Sequence, residues 1–199
     1  DEIQNQPGWS LWVEKLYRRG VNLVITGSNA NMLSDDIAAV LSGRYLEIRL
    51  YPFSAGEYLS FLAVPLSEET ETPEFVARLN SSISKYMEYG GYPEIVGTEQ
   101  VAAGYLSGLY DSIIVKDIVR RYKIRKVDDL YGVADRMLSN FTNPFSASSV
   151  RDELEMPSTT TVQKYLAYLQ NTYLFQYLPR FSNKLKLMKK ADAKCYVVD

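Results

Sequence analysis

The 199-residue chain has no histidine and a single cysteine, Cys195. Without histidine there is no Ser-His-Asp triad, no HExxH zinc site and no imidazole base within the chain. One thiol can neither close an intrachain disulfide nor build a cysteine-rich zinc site, and it fits a reducing, cytoplasmic setting. No apolar run approaches the roughly 20 residues that span a bilayer, so no membrane partner is expected. The first residues do not read as a signal peptide. Charge of either sign is scarce in net terms: the balance is −2, and any basic surface that attracts polyanions must be local. Chemistry is left to carboxylates, arginine, lysine, hydroxyls and one thiol.

What is present is globular: 46% hydrophobic and 23% charged residues, enough for one sizeable domain or two small ones. Sixteen tyrosines lie among apolar residues at helical spacing, where packing accounts for most of them. Pro7 and Gly8 predict a turn, followed by a helix from Trp9 to Arg19 with Trp9, Trp12, Val13 and Leu16 as its apolar stripe, ended by Gly20. "VNLVIT" and "RYLEIRL" read as strands around a loop and helix closed by Gly43, which predicts a parallel α/β sheet. Ser54 and Glu57 have capping-box spacing. "AVPLSEETETPE" is acidic and aperiodic, a linker or exposed loop. Beyond it helices are expected over 75–89, 101–122 and 127–140. A short helix in "SASSVRDELEM", a turn, a helix in "TTTVQKYLAYLQNTYLF" facing inward with Val162, Leu166 and Leu169, and a hairpin of "LFQYLP" with "KCYVVD" follow the winged helix-turn-helix order. The fold class expected is therefore α/β followed by mostly α.

The opening "DEIQ" has a second reading beside that of a solvated N-terminus. In P-loop ATPases an apolar strand ends in Asp-Glu, the Asp orienting Mg²⁺ and the Glu polarising the attacking water. Thr26, Ser28 and Asn29 stand at the end of "VNLVIT", on the rim where open parallel sheets bind ligands. The stretches "DEIQNQPGW", "VITGSNANMLS", "LSGRYLEIRLYPFSAGEYL", "YGGYPE", "IVKDIV", "TTTVQKYLAYLQNTYLF" and "KCYVVD", in that order, cover almost the whole chain. On them the chain resembles prokaryotic, archaeal-ATPase-like AAA-type ATPases that carry a C-terminal domain of unknown function. The resemblance implies a Mg²⁺-ATP-dependent conformational switch, here represented from the second half of its core, since the sequence holds no GxxxxGK[ST]. It implies Asp1 as the Mg²⁺-orienting acid, Glu2 as the catalytic glutamate, Ser28 or Asn29 as the phosphate sensor, and Arg44 as an arginine finger reaching a neighbouring subunit's nucleotide in a homo-oligomer. Arg44 reads equally as a dipole-complementing surface arginine. The implied domains are 1–63 (C-terminal half of the ATPase core), 75–142 (helical lid) and 143–199 (winged helix and first strand of a further domain, nuclease-like in many relatives).

Two segments concentrate positive charge. Lys116, Arg120, Arg121, Lys123, Arg125 and Lys126 are expected to complement a helix C-terminus. Arg180, Lys184, Lys186, Lys189, Lys190 and Lys194 lie at the expected wing and suit phosphates. The rival to the ATPase reading is thus a duplex-DNA module. In it Ser158 caps the second helix, Thr160, Thr161 and Gln163 face the bases, and Lys164 with Lys184, Lys186 and Lys189 holds the backbone phosphates. A protein-interaction adaptor using the tyrosine-rich helices is a third reading.

Overall fold

A computed structural model of the chain describes residues 3, 6–27, 44–66, 72–181, 183 and 192–198. The described residues are mostly helical, with one small three-stranded antiparallel sheet. The chain divides into two compact units: Asp1–Ile48 with Ile113–Val197, and Arg49–Ser112 with Val198–Asp199.

In the first unit, α1 (Trp9–Arg18) starts after Gly8 at φ 75° and ends at Arg19, with Gly20 also left-handed at φ 75°. Glycine bears this backbone without the clash a Cβ would bring. Trp9 and Val13 are buried against Ile3, Leu23 and Ile25. Trp12 is 54% exposed, so the buried stripe is narrower than the four residues expected. Among the described residues the cover over α1 is Ile3 with the segment of Leu23 and Ile25, and no sheet. Residues 21–27 and 44–50 join no strand pairing among the described residues, which corrects the two-strand expectation. Val24 is 94% exposed and Leu46 is 84% exposed. An apolar run prepares a strand's faces, but a ladder needs a partner's N–H and C=O groups alongside. The helix expected before Gly43 lies outside the described residues.

In the second unit, α2 (Ala55–Phe61) is opened by the capping box expected from its spacing. The Ser54 N–H donates to Glu57 Oε2 at 2.8 Å and the Glu57 N–H to Ser54 Oγ at 3.4 Å. Helix α3 (Pro73–Tyr89) has proline at its first position and Thr72 as its cap, with the Phe75 N–H donating to Thr72 Oγ1 at 3.2 Å. The "linker" therefore supplies a helix start. Tyr58, Leu59 and Val64 form the small core, packed against Leu79, Tyr86 and Val96. After α3, Gly91 brings the chain back onto Phe53: the Phe53 N–H donates to the Gly91 carbonyl at 2.8 Å, and the Tyr86 hydroxyl to the Phe53 carbonyl at 2.9 Å. Two 3₁₀ turns lead into α4 (Ala102–Ser112).

The single helix expected over 101–122 is divided. Ile113–Arg120, counted with the first unit, is π-helical, eight residues long, with Ile114 and Ile118 fully buried. Then come α5 (Val127–Ser139), β1 (Pro144–Phe145), α6 (Ala147–Glu153), α7 (Thr159–Asn171), β2 (Phe175–Pro179) and β3 (Ala193–Val197). The sheet order is β1-β3-β2, all antiparallel, with Tyr177 opposite Cys195 and Phe145 opposite Ala193. Strand β3, from "KCYVVD", is thus taken up in this local sheet. Val133, Met137, Val150, Val162, Leu169 and Phe175 fill the space between helices and sheet. The inward stripe Val162, Leu166 and Leu169 is buried as its spacing requires.

Candidate functional site

Asp1, Glu2, Ser28, Asn29, Lys184, Lys186 and Lys189 lie outside the described residues. Of the expected nucleotide site, Thr26 and Arg44 are described, and both are exposed. No group of three or more carboxylate, histidine or thiol side chains among the described residues is placed to hold a metal ion.

Helix α7 is described throughout. Its inward stripe fixes its rotation, and that leaves Thr160, Gln163 and Lys164 exposed while Thr161 is half-buried. The cap differs from expectation. Ser158 occupies the N-cap position, but its side chain makes no cap hydrogen bond. The helix start is held from outside instead: Arg151 Nη1 on α6 donates to Thr159 Oγ1 at 3.0 Å, and the same guanidinium pairs with Asp152. On the other flank of α6, Arg136 of α5 holds Glu153 through Nε and Nη2. That guanidinium keeps the Glu153 carboxyl below its ordinary pKa, and Glu153 raises that of Arg136. Glu153 is therefore spent locally, and its charge opposes an approaching anion less than sequence proximity suggests.

Spacing alone did not disclose three features. Tyr168 of α7 stacks on Tyr122, ring centroids 3.7 Å apart at 9°. Asn171 Nδ2 donates to the same Tyr122 hydroxyl at 3.5 Å. The chain between Tyr122 and α5 turns through Lys123 at φ 51°, left-handed backbone on a non-glycine residue. Long-range pairs such as Tyr122 with Tyr168 leave no periodic trace; the left-handed turn was foreshadowed only by the break in apolar spacing after Tyr122.

Residues 1–59 match the family model described as "AAA domain", so this part of the chain is related to AAA-type ATPases. Residues 80–199 match the model "Domain of unknown function (DUF8612)", and the chain belongs to that family. An uncharacterized protein of Haemophilus influenzae is 34% identical over the whole chain, which covers 49% of that relative. Uncharacterized protein MJ1544 of Methanocaldococcus jannaschii is 30% identical over the whole chain, which covers 46% of it. The chain thus spans about half the length of the curated relatives it matches. No solved structure matches. No described helix is long and apolar enough to cross a membrane.

Proposed function

We propose that the chain is part of a Mg²⁺-ATP-dependent AAA-type ATPase that works as a nucleotide-driven conformational switch. The match of residues 1–59 to an AAA domain carries the reading. The side chains are right in kind: a carboxylate suits Mg²⁺, and hydroxyl O–H and amide N–H groups donate to phosphate oxygens. Asp1 would hold the ion, Glu2 would orient and polarise the attacking water, and Thr26, Ser28 and Asn29 would face the γ-phosphate. Bound Mg²⁺ supplies charge neutralisation to the transferring phosphoryl group. The Gly-rich, lysine-bearing loop that cradles the phosphates has no counterpart in these 199 residues. Phosphate release should therefore be measured on the full-length protein and on this chain. Turnover by the full-length protein alone, abolished by Glu2→Gln, is expected. Turnover that survives Glu2→Gln would falsify the assignment.

A second reading, compatible with the first, concerns residues 143–199 together with the preceding helix α5. The succession α5, β1, α6, α7, β2, β3 with sheet order β1-β3-β2 supports a winged helix-turn-helix, and α7 then corresponds to its second helix. Thr160, Gln163 and Lys164, exposed among the described residues, supply base-edge and phosphate donors. The partner is duplex DNA, with Thr161 and the wing residues Lys184, Lys186 and Lys189 completing the contact. Salt-dependent binding of a duplex by the chain is the expected result, and its absence at low salt removes this reading.

A further inference from the structure

Between Lys116 and Lys126 the chain places six cations and one carboxylate, in a molecule of net charge −2. Helix-dipole complementation explains only part of this. Lys116 and Arg120 sit in the π-helical segment, where cations near a C-terminal end are favoured. Arg125 and Lys126 do not, because they stand at the N-terminus of α5, a thirteen-residue helix whose positive dipole end they oppose. Lys126 is its N-cap and makes no side-chain cap hydrogen bond; among the described residues its ammonium pairs with Asp129, at 3.8 Å.

Two further local rules are broken beside it. Eight π-helical residues are far more than the single-turn bulge usually seen, and such segments gather at functional sites. Lys123 is one of five described non-glycine residues with positive φ and holds a left-handed backbone that glycine would adopt at less cost. Three departures from folding preference, all carrying or framing cations, mark a place where charge serves something other than the fold.

The segment touches α7 through Tyr122. Tyr122, stacked on Tyr168, joins the two elements. Lys164 lies one turn before Tyr168 on the same face, and Lys123 follows Tyr122 directly. Lys116, Arg120, Lys123, Arg125 and Lys164 are all exposed. The acids nearest in sequence are Asp117, which is itself engaged, exposed Asp128, and Asp129, which pairs with Lys126.

We infer that this ridge docks the phosphate backbone of the duplex whose bases α7 faces, extending the contact from Lys164 across the tyrosine stack to Lys123 and Arg125. The inference rests on the second reading above. A polyanion relieves what the fold leaves adverse: it neutralises cations crowded at a helix N-terminus, where anions are favoured. The partner is thus recognised by charge spacing rather than by sequence.

The test is fluorescence anisotropy of the 199-residue chain with a labelled duplex at several salt concentrations. Each phosphate contact contributes about −0.9 to the slope of log K on log salt. Lys123→Gly removes a charge where the backbone favours glycine, so the variant keeps its fold; its thermal midpoint should equal or exceed the parent's. Combined with Arg125→Gln it should flatten the slope by about 2. If the double variant leaves the slope unchanged while replacing Lys184, Lys186 and Lys189 with Ala flattens it, the ridge is not a duplex contact and the winged-helix reading stands. If the parent binds no duplex at low salt, both fail. Binding of a polyglutamate peptide in place of the duplex overturns the inference in favour of an acidic protein partner.

Discussion

Gly91 shows how one missing atom positions a loop. A Cβ built there would lie 2.2 Å from the Phe53 carbonyl oxygen and 3.0 Å from its nitrogen. Both are backbone atoms, and the Phe53 N–H is already committed to the Gly91 carbonyl. Neither can swing aside as a side-chain tip would. Gly91→Ala should therefore cost about 1–3 kcal/mol, the range for overfilling a packed site, and should split the contact between Phe53 and the Tyr86 hydroxyl. Urea denaturation and the near-ultraviolet signal of Tyr86 check this; an alanine variant as stable as the parent would show that the two segments part freely. Cys195 is a residue of the opposite kind. It is wholly buried in the central strand, and burial pushes its thiol up to about 11. A protonated, inaccessible thiol packs as a small apolar group and has no nucleophilic role. Tyr177, opposite it in the sheet, is likewise raised by burial, and its hydroxyl has no hydrogen-bond partner among the described residues.

At the scale of elements, local chemistry was readable wherever the determinants are close in sequence. Ser54 and Glu57 are three residues apart and close the capping box their spacing predicts. The Val162–Leu166–Leu169 stripe settles the rotation of α7. Where the determinant is a distant partner, sequence reasoning went astray. "VNLVIT" has a strand's composition but joins no ladder among the described residues, and Ser158 stands at a helix start secured by Arg151 from the helix before. The candidate DNA face was legible as exposed polar positions on α7; its extension through Tyr122 was not, because a ring stack between residues 122 and 168 obeys no period. The Arg136–Glu153 pair between α5 and α6 is a long-range determinant of the same kind, and it has a measurable pH signature. Arg136 lowers the Glu153 carboxyl below its unfolded value, so the folded state is favoured while Glu153 is ionised. That contribution is present above the ordinary glutamate pKa, about 4.3, and is lost as pH falls through the lower folded value. Glu57, lowered chiefly by the Ser54 N–H, and Glu99, lowered by a backbone N–H and then by Lys85, act in the same sense. Glu153→Gln should thus lower stability at neutral pH and lessen the further loss on acidification. Thermal midpoints that stay parallel between parent and variant from neutral to acid pH would show that the pair contributes no linkage.

On the scale of the whole molecule, the proposal that Arg44 is an arginine finger can be tested as a property of an assembly. The residue is exposed and follows the stretch 28–43. A finger arginine acts on charge that develops in the transition state of a nucleotide held by another subunit. Its loss should therefore appear in kcat and hardly in nucleotide affinity. If Arg44 is a finger acting across a subunit interface, Arg44→Ala in the full-length protein should lower kcat by roughly 10³-fold or more, and lysine should restore only part of it, lacking the planar two-pronged donor. A surface arginine would leave kcat untouched. Mixing adds a test that a local role cannot mimic. If Arg44 is such a finger, an Arg44→Ala subunit keeps Glu2 and lacks only the finger, and a Glu2→Gln subunit keeps the finger and lacks the glutamate. In a mixed oligomer the first can complete its site with the arginine of the second. Turnover should then reappear from two inactive proteins, in an amount that follows their ratio and vanishes on dilution below the assembly constant. If kcat falls in Arg44→Ala yet mixing restores nothing in oligomers shown to exchange subunits, the arginine acts within its own subunit, and the switch does not depend on a neighbour.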